Sequence, residues 1–237
     1  MNSDLKTWDA GALDYLTEAS EENDVFKREV DTPAFVNMLG DVKNKSVLDI
    51  GCGNGDFVKK ISKLTTKVVG LDGSPKMIEA ARKNFPEGNF IVCDLMGEKI
   101  PLSDDSVDIV TSKMMLMNVE SVRKVGEKVF EVLKNDGLYA IDVVHPFRPV
   151  LKNLQNSSRY NKSLNYFKET SGTIEFNGKK YSYYYRSTSQ YVDETIDSGF
   201  KLLQMDELGI DENLVKKYPV LLSKLNSPIS LHLLFQK

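Results

Sequence analysis

Residues 46–55, Ser-Val-Leu-Asp-Ile-Gly-Cys-Gly-Asn-Gly, constrain the fold of this chain more than any other stretch. Val47, Leu48 and Ile50 form a short apolar run of the kind that is buried on both faces of a parallel sheet. The run breaks at once into glycines at 51, 53 and 55, and Phe57, Ile61 and Leu64 then recur at helical spacing. The pattern predicts a strand, a tight turn and the N-terminus of a helix. Glycine admits backbone conformations barred to other residues and leaves no Cβ, so a ligand can lie directly against such a turn.

Dinucleotide folds show Gly-x-Gly-x-x-Gly at this point, where the helix N-terminus meets a pyrophosphate. Here the spacing is Gly-x-Gly-x-Gly, with Asp49 in the strand and Asp56 just after the last glycine. Two carboxylates beside the turn would repel a pyrophosphate and suit a ligand bearing an ammonium or sulfonium. A second strand, 67–72, ends in Asp72, 17 residues beyond Gly55, where a carboxylate can accept two hydrogen bonds from a ribose diol. Ser74 and Pro75 supply an N-cap and a first-turn proline for a helix whose apolar side is Met77, Ile78 and Ala81. A third strand, 90–92, runs into Cys93, Asp94 and Leu95, and a fourth follows the polar turn at 103–106.

Residues 121–135 read as a helix with Val122, Val125, Val129, Val132 and Leu133 on its buried side, closed by Asn135-Asp136-Gly137. A fifth strand, 138–144, leads directly into His145. Open α/β sheets place ligands beyond the carboxyl ends of their strands, and a histidine can act as a base near neutral pH, so His145 is the catalytic candidate. A structural histidine before a proline is the alternative reading.

Taken in order, these segments resemble the motifs of class I S-adenosylmethionine-dependent methyltransferases, over about residues 45–145. Val-Leu-Asp-Ile-Gly-Cys-Gly-Asn-Gly resembles the first motif, and Asp-Gly-Ser-Pro-Lys-Met-Ile the second. The resemblance implies an α/β fold with a Rossmann-like seven-stranded, mostly parallel sheet, helices on both faces and the last strand antiparallel. It implies S-adenosylmethionine as cofactor and S-adenosylhomocysteine as product. By correspondence Asp49, Gly51 and Gly53 line the methionine portion, Asp72 the ribose, and Met77, Asp94 and Leu95 the adenine. Tyr15, Asn54, Gly73 and Ser112 join the expected cofactor contacts, with residues 1–44 a helical lid in which Tyr15 and Trp8 are the aromatic candidates and a second helix starts at Pro33 with Phe35, Met38 and Leu39 facing inward. Residues 112–118 lack the Asn/Asp-Pro-Pro-aromatic motif of amino-directed DNA methyltransferases, and 133–146 resemble the ending of a small-molecule subset. The implied reaction moves a methyl group to an O, N or C nucleophile of a small molecule.

Beyond His145 the composition changes. Residues 145–190 hold eight basic side chains against two acidic ones, and six of the ten tyrosines, whereas the whole chain has a net charge of -3. Asn177-Gly178 signals a two-residue hairpin turn that would put Ile174, Phe176, Tyr181, Tyr183 and Tyr185 on one face. Residues 146–190 then form either a substrate-covering insertion favouring an aromatic or acidic acceptor, or a hairpin packed on the core. The rest is read as a helix at 189–198, a strand at 200–205, a helix at 212–225 despite Pro219, and a closing strand at 229–235, making 1–237 one domain.

The overall acidity argues against a nucleic-acid partner without excluding a local patch. Two distant cysteines and two histidines give no zinc pattern, so no metal is expected. The chain lacks a signal-peptide pattern and any membrane-length apolar run, which fits a cytoplasmic protein. Two other readings stay open: an RNA or protein methyltransferase using the basic insertion, and a non-catalytic S-adenosylmethionine binder.

Overall fold

The computed structural model describes residues 3–18, 24–154, 165–176 and 178–237. Its strands in chain order are β1 (Val47–Ile50), β2 (Val68–Asp72), β3 (Asn89–Val92), β4 (Val107–Lys113), β5 (Leu133–Val144), β6 (Thr170–Phe176), β7 (Lys179–Tyr185), β8 (Lys201–Leu208) and β9 (Ser230–Gln236). Seven of them form one sheet in the order β3-β2-β1-β4-β5-β9-β8, and β6 and β7 pair separately. The first five run parallel, while β9 is antiparallel to both β5 and β8. This is the Rossmann-like sheet that the sequence motifs imply. Chain order reverses direction between β1 and β4, and their carboxyl ends open the crevice where such sheets bind ligands.

The central strands are apolar because both faces are covered. On one face α2 (Thr32–Met38), α3 (Asp56–Ile61) and α4 (Pro75–Asn84) bury Phe35, Phe57, Ile61 and Ile78 around Val47. On the other, α5 (Val122–Val132) and α7 (Thr188–Ile196) bury Val125, Val129 and Tyr191 around Leu48 and Ile50. The remaining helices are α1 (Ser3–Glu18), α6 (Phe147–Leu154) and α8 (Glu212–Lys217). Among the described residues no helix is long and apolar enough to cross a membrane.

Four local expectations change. The helix predicted at 121–135 ends at Val132, because the Asp105 and Ser106 amides bond to the Glu131 and Val132 carbonyls and Leu133 already pairs with Val107 in the sheet. The reversal at 135–137 is made by Asp136, which takes φ +61°, and not by the glycine beside it. The helix predicted at 212–225 stops at Lys217. Pro219 cannot donate to a preceding carbonyl and its ring obstructs the helix, so the chain resumes as a 3-10 turn at Pro219–Lys224.

The helix predicted to begin at Pro33 begins earlier, at Val25, and reaches Pro33 through a π-helical turn at Lys27–Asp31. There the Thr32 amide bonds to the Lys27 carbonyl, five residues back. A π turn immediately before a proline loosens the ladder where the ring would otherwise clash. Its consequence for the site is that Asp31 points inward and is fully buried.

β6 and β7 pair antiparallel, Phe176 opposite Lys179 and Ile174 opposite Tyr181, while Asn177 and the side chain of Phe176 lie outside the described residues. The hairpin's face of Ile174, Tyr181, Tyr183 and Tyr185 is buried in the main core, so the packed-hairpin reading describes these side chains. Arg186, at its end, is also buried. Its guanidinium donates to the Leu116 and Glu120 carbonyls and pairs with Glu169 and Glu194, which ties the hairpin to the segment after β4.

Candidate active site

A cavity of about 240 Å³ opens at the carboxyl ends of β1, β2, β3 and β4. The glycine turn forms its floor: Gly51, Gly53 and Gly55 all have positive φ, at +68°, +53° and +76°. At Gly51 a Cβ would meet Met115 Cγ at 2.3 Å, whereas around Gly53 a Cβ would find open space within 4 Å. The first glycine is needed for packing against the wall and for its left-handed backbone, the second for its backbone alone.

Asp72 organises the turn from the next strand. Its Oδ2 accepts from the Gly53 amide (2.9 Å) and its Oδ1 from the Ser74 amide (2.8 Å). Burial pushes its carboxyl above the ordinary value, and those two amides oppose the shift. Asp56 is a structural acid, fastened by Asn54 Nδ2 at 2.8 Å and Asn84 Nδ2 at 2.6 Å. Met77 and Leu95 are buried and line the same wall as Asp94, whose Oδ1 accepts from the Met96 amide at 3.0 Å.

α1 closes this side. Asp9 Oδ1 accepts from Ser74 Oγ (2.7 Å) and from the Lys76 amide (3.0 Å), Leu5 sits where a Cβ on Gly73 would be, and Trp8 lines the cavity. Trp8 packs on Tyr181 with ring centroids 4.4 Å apart, and the Tyr181 hydroxyl donates to the Gly11 carbonyl. The side chain of Tyr15 lies outside the described residues, as do those of Lys152, Arg159 and Lys162.

The structure therefore brings together Asp49, Gly51, Gly53, Asn54, Asp72, Gly73, Met77, Asp94 and Leu95 around one cavity. It does not bring Ser112 or His145 there. Ser112 is fully buried in the sheet. His145 is held at the far side of β5, with Nδ1 accepting from the Phe147 amide at 3.2 Å, which leaves Nε2 to donate to Glu207 Oε1 at 2.7 Å. Both ring nitrogens are thus engaged, as in a structural histidine.

Sequence reasoning missed a cluster beside the cavity. Lys113, the last residue of β4, lines it and pairs with Asp31 and Asp142, and His232 Nε2 lies 3.2 Å from Asp31 and 3.4 Å from Asp142. Asp31, Asp142 and His232 are fully buried and close enough together to hold a metal ion. The Lys113 ammonium bonds the Oδ2 of each carboxylate, and the His232 ring faces the Oδ1 of each. The carboxylates in turn raise His232 to about 9 against the opposing effect of burial.

A model of the methyltransferase-domain family matches residues 41–198, two-thirds of the chain. The chain belongs to this methyltransferase family. S-adenosylmethionine is the family's cofactor. The methyltransferase is 25% identical to an uncharacterised protein of Haemophilus influenzae, over 87% of each chain. It is 32% identical to a demethylmenaquinone methyltransferase of Chlorobaculum parvum, over 47% of this chain and 46% of that one. Its fold matches the crystal structure of a putative S-adenosylmethionine-dependent methyltransferase from Listeria monocytogenes with a TM-score of 0.71, at 24% identity, covering 87% of this chain and 96% of the other.

In the methyltransferase Asp49 is a strongly perturbed carboxyl at the cavity. It is buried, accepts from Thr111 Oγ1 at 2.8 Å, and is pushed up to about 7 chiefly by burial. A carboxyl raised in the folded state holds its proton longer there than in the unfolded chain. Stability is therefore lost as pH rises from the ordinary value of 3.8 to about 7. Asp49→Asn keeps an acceptor for Thr111 and removes the charge. Thermal denaturation at pH 8 is expected to show it more stable than wild type, by up to about 4 kcal/mol less what cavity water already screens, with no gain at pH 4.

Proposed function

We propose that the methyltransferase transfers the methyl group of S-adenosylmethionine to an O, N or C nucleophile of a small molecule. The observation that carries this reading is that Asp49, Asp72 and Asp94 stand at or just beyond the ends of three adjacent strands and line one cavity around an open glycine turn. An acid at each of three neighbouring positions suits a ligand that offers, in order, a cation, a diol and an aromatic amine.

The residues present fit the cofactor. Open space at Gly53 admits a chain against the backbone, and Asp49 supplies a buried carboxylate for the methionine ammonium. Asp72, already oriented by two amides, keeps lone pairs for the ribose hydroxyls. Met77 and Leu95 offer an apolar slot for adenine, with Asp94 at its edge. When bound, S-adenosylmethionine supplies an electrophilic methyl group on a sulfonium. The protein's part is alignment and exclusion of water, for which Leu5 and Trp8 of α1 stand over the cavity. No proton-transfer step is assigned to His145.

The acceptor is read as a small molecule because the aromatic face of the hairpin is turned into the core, away from any surface that could track a nucleic acid. A cytoplasmic setting accords with Cys52 and Cys93, both buried free thiols. Titration calorimetry with S-adenosylhomocysteine tests the donor assignment, alongside mass spectrometry of ligands released from the purified protein. Micromolar binding of one molecule per chain is expected. A folded protein that fails to bind at millimolar ligand sinks the reading.

A further inference from the structure

The charges lining the cavity are sorted by strand. In the sheet order β3-β2-β1-β4, Asp94 follows β3, Asp72 ends β2, Asp49 lies in β1, and Lys113 ends β4. Adjacent strands are about 4.8 Å apart, so the sign of the lining charge changes between β1 and β4: Asp49 neighbours Lys113, while Asp72 and Asp94 lie one and two strands farther off and Asp56 follows the glycine turn. Lys27 lines the cavity too, and it lies one helical turn from Asp31, the residue paired with Lys113. Glu120, beyond β4, also lines the cavity and is exposed.

Lys113 is not free to swing. Its ammonium has three donors, of which two go to Asp31 and Asp142. The third has no partner among the described residues. With His232 protonated at neutral pH, the two carboxylates are balanced by two cations, so the cluster holds Lys113 in place without leaving a net negative charge beside the cavity. Thr32 lines the same end, fully buried, and its hydroxyl has no partner among the described residues. Buried polar groups are seldom left unsatisfied, and one lining the same cavity as an ammonium that is packed on the Phe35 ring and keeps a donor to spare marks a place for an outside acceptor of hydrogen bonds.

Resting on the methyltransferase reading above, we propose that the Lys113 end of the cavity, with Lys27 and Thr32, binds the methyl acceptor through an anionic oxygen, so that the substrate is a carboxylate, phenolate or enolate. An ammonium and a hydroxyl fixed by their surroundings stabilise a negative oxygen without rearranging, and they repel a protonated amine. Transfer then needs no separate base. The acceptor's electron pair forms the bond to the methyl carbon, the carbon–sulfur bond breaks, and its pair stays on sulfur as the sulfonium becomes a neutral thioether. The acidic acceptor expected from the basic residues of the 146–190 insertion is thereby placed on different residues: the described part of that insertion does not line the cavity.

The test uses the full chain saturated with S-adenosylhomocysteine. Small aromatic carboxylic acids and phenols, each paired with its own amide or methyl ether, are titrated in by calorimetry. Anionic members are expected to bind at least tenfold more tightly than their neutral partners. Lys27→Met and Thr32→Val are each expected to weaken the anion by about fivefold or more, with affinity for S-adenosylhomocysteine kept within twofold. Lys113 itself is left intact here, because its loss strands two buried carboxylates and would confound binding with folding. Neutral compounds binding as well as the anions, no anion binding at all, or variants that keep full affinity for the anion would each overturn the proposal. Failure of wild type to take up S-adenosylhomocysteine would instead strike the methyltransferase reading.

Discussion

Asp72→Ala is expected to weaken S-adenosylmethionine binding by about 10² to 10³-fold, measured by calorimetry on protein shown to be folded by circular dichroism. Two losses combine. The ribose hydroxyls lose a charged acceptor, and hydrogen bonds to charged groups are each worth about 1.5–3 kcal/mol. In addition, the Gly53 and Ser74 amides lose the oxygens that they bond at 2.9 and 2.8 Å, so the glycine turn and the start of α4 are no longer held in one geometry. Asp72→Asn separates the two effects, since it can keep one amide contact while giving up the charge. Unchanged affinity in both variants would remove Asp72 from the donor site.

The second large effect concerns stability. Lys113→Met leaves Asp31 and Asp142 facing each other in the core with only His232 to balance them. Removing one member of a buried ion network costs about 3–5 kcal/mol, so a drop of that size is expected in chemical denaturation. Adding Asp142→Asn to Lys113→Met should recover a large part of it, because one stranded charge is removed together with its partner. The cluster also sets a pH signature. His232 is raised in the folded protein to about 9, so the stability it contributes is fully present below its ordinary value of 6.5 and is lost as pH rises through 9. A wild-type stability that stays flat between pH 6.5 and 9, or a double variant no better than the single, would contradict this account.

Those two sites differ in how far the sequence exposes them. The donor side is written locally: strand, glycines and acid fall within residues 46–55, and the later acids Asp72 and Asp94 each sit at the end of an apolar run. Strand ends in a parallel sheet share one edge, so knowing the strands is enough to gather the acids. The cluster has no such signature. Residues 31, 113, 142 and 232 come from four distant elements, and nothing in their neighbours announces that β9 will lie beside β5 and bring His232 to Asp142. His145 fails for the same reason in reverse. Its place after a strand suggested the crevice, while the partner that engages it, Glu207, is contributed by β8 from 62 residues away. Two of the elements that differ from expectation turn on a proline: Pro219 ends a helix that periodicity would continue, and Pro33, expected to open a helix, follows turns that already start at Val25.

The wide turn at Lys27–Asp31 ties the lysine end of the cavity to chain length as well as to residue type. Each residue of an α-helix turns the chain by about 100°. Removal of one residue among Arg28, Glu29 and Val30 would let the helix close regularly, and every side chain before the deletion would rotate by about that angle relative to those after it. Lys27 would leave the cavity even though no residue type there had changed. A chain with these amino acids but without the extra residue would not share the geometry, so if Lys27 grips the acceptor, a single-codon deletion well outside the glycine motif is enough to change which acceptor fits.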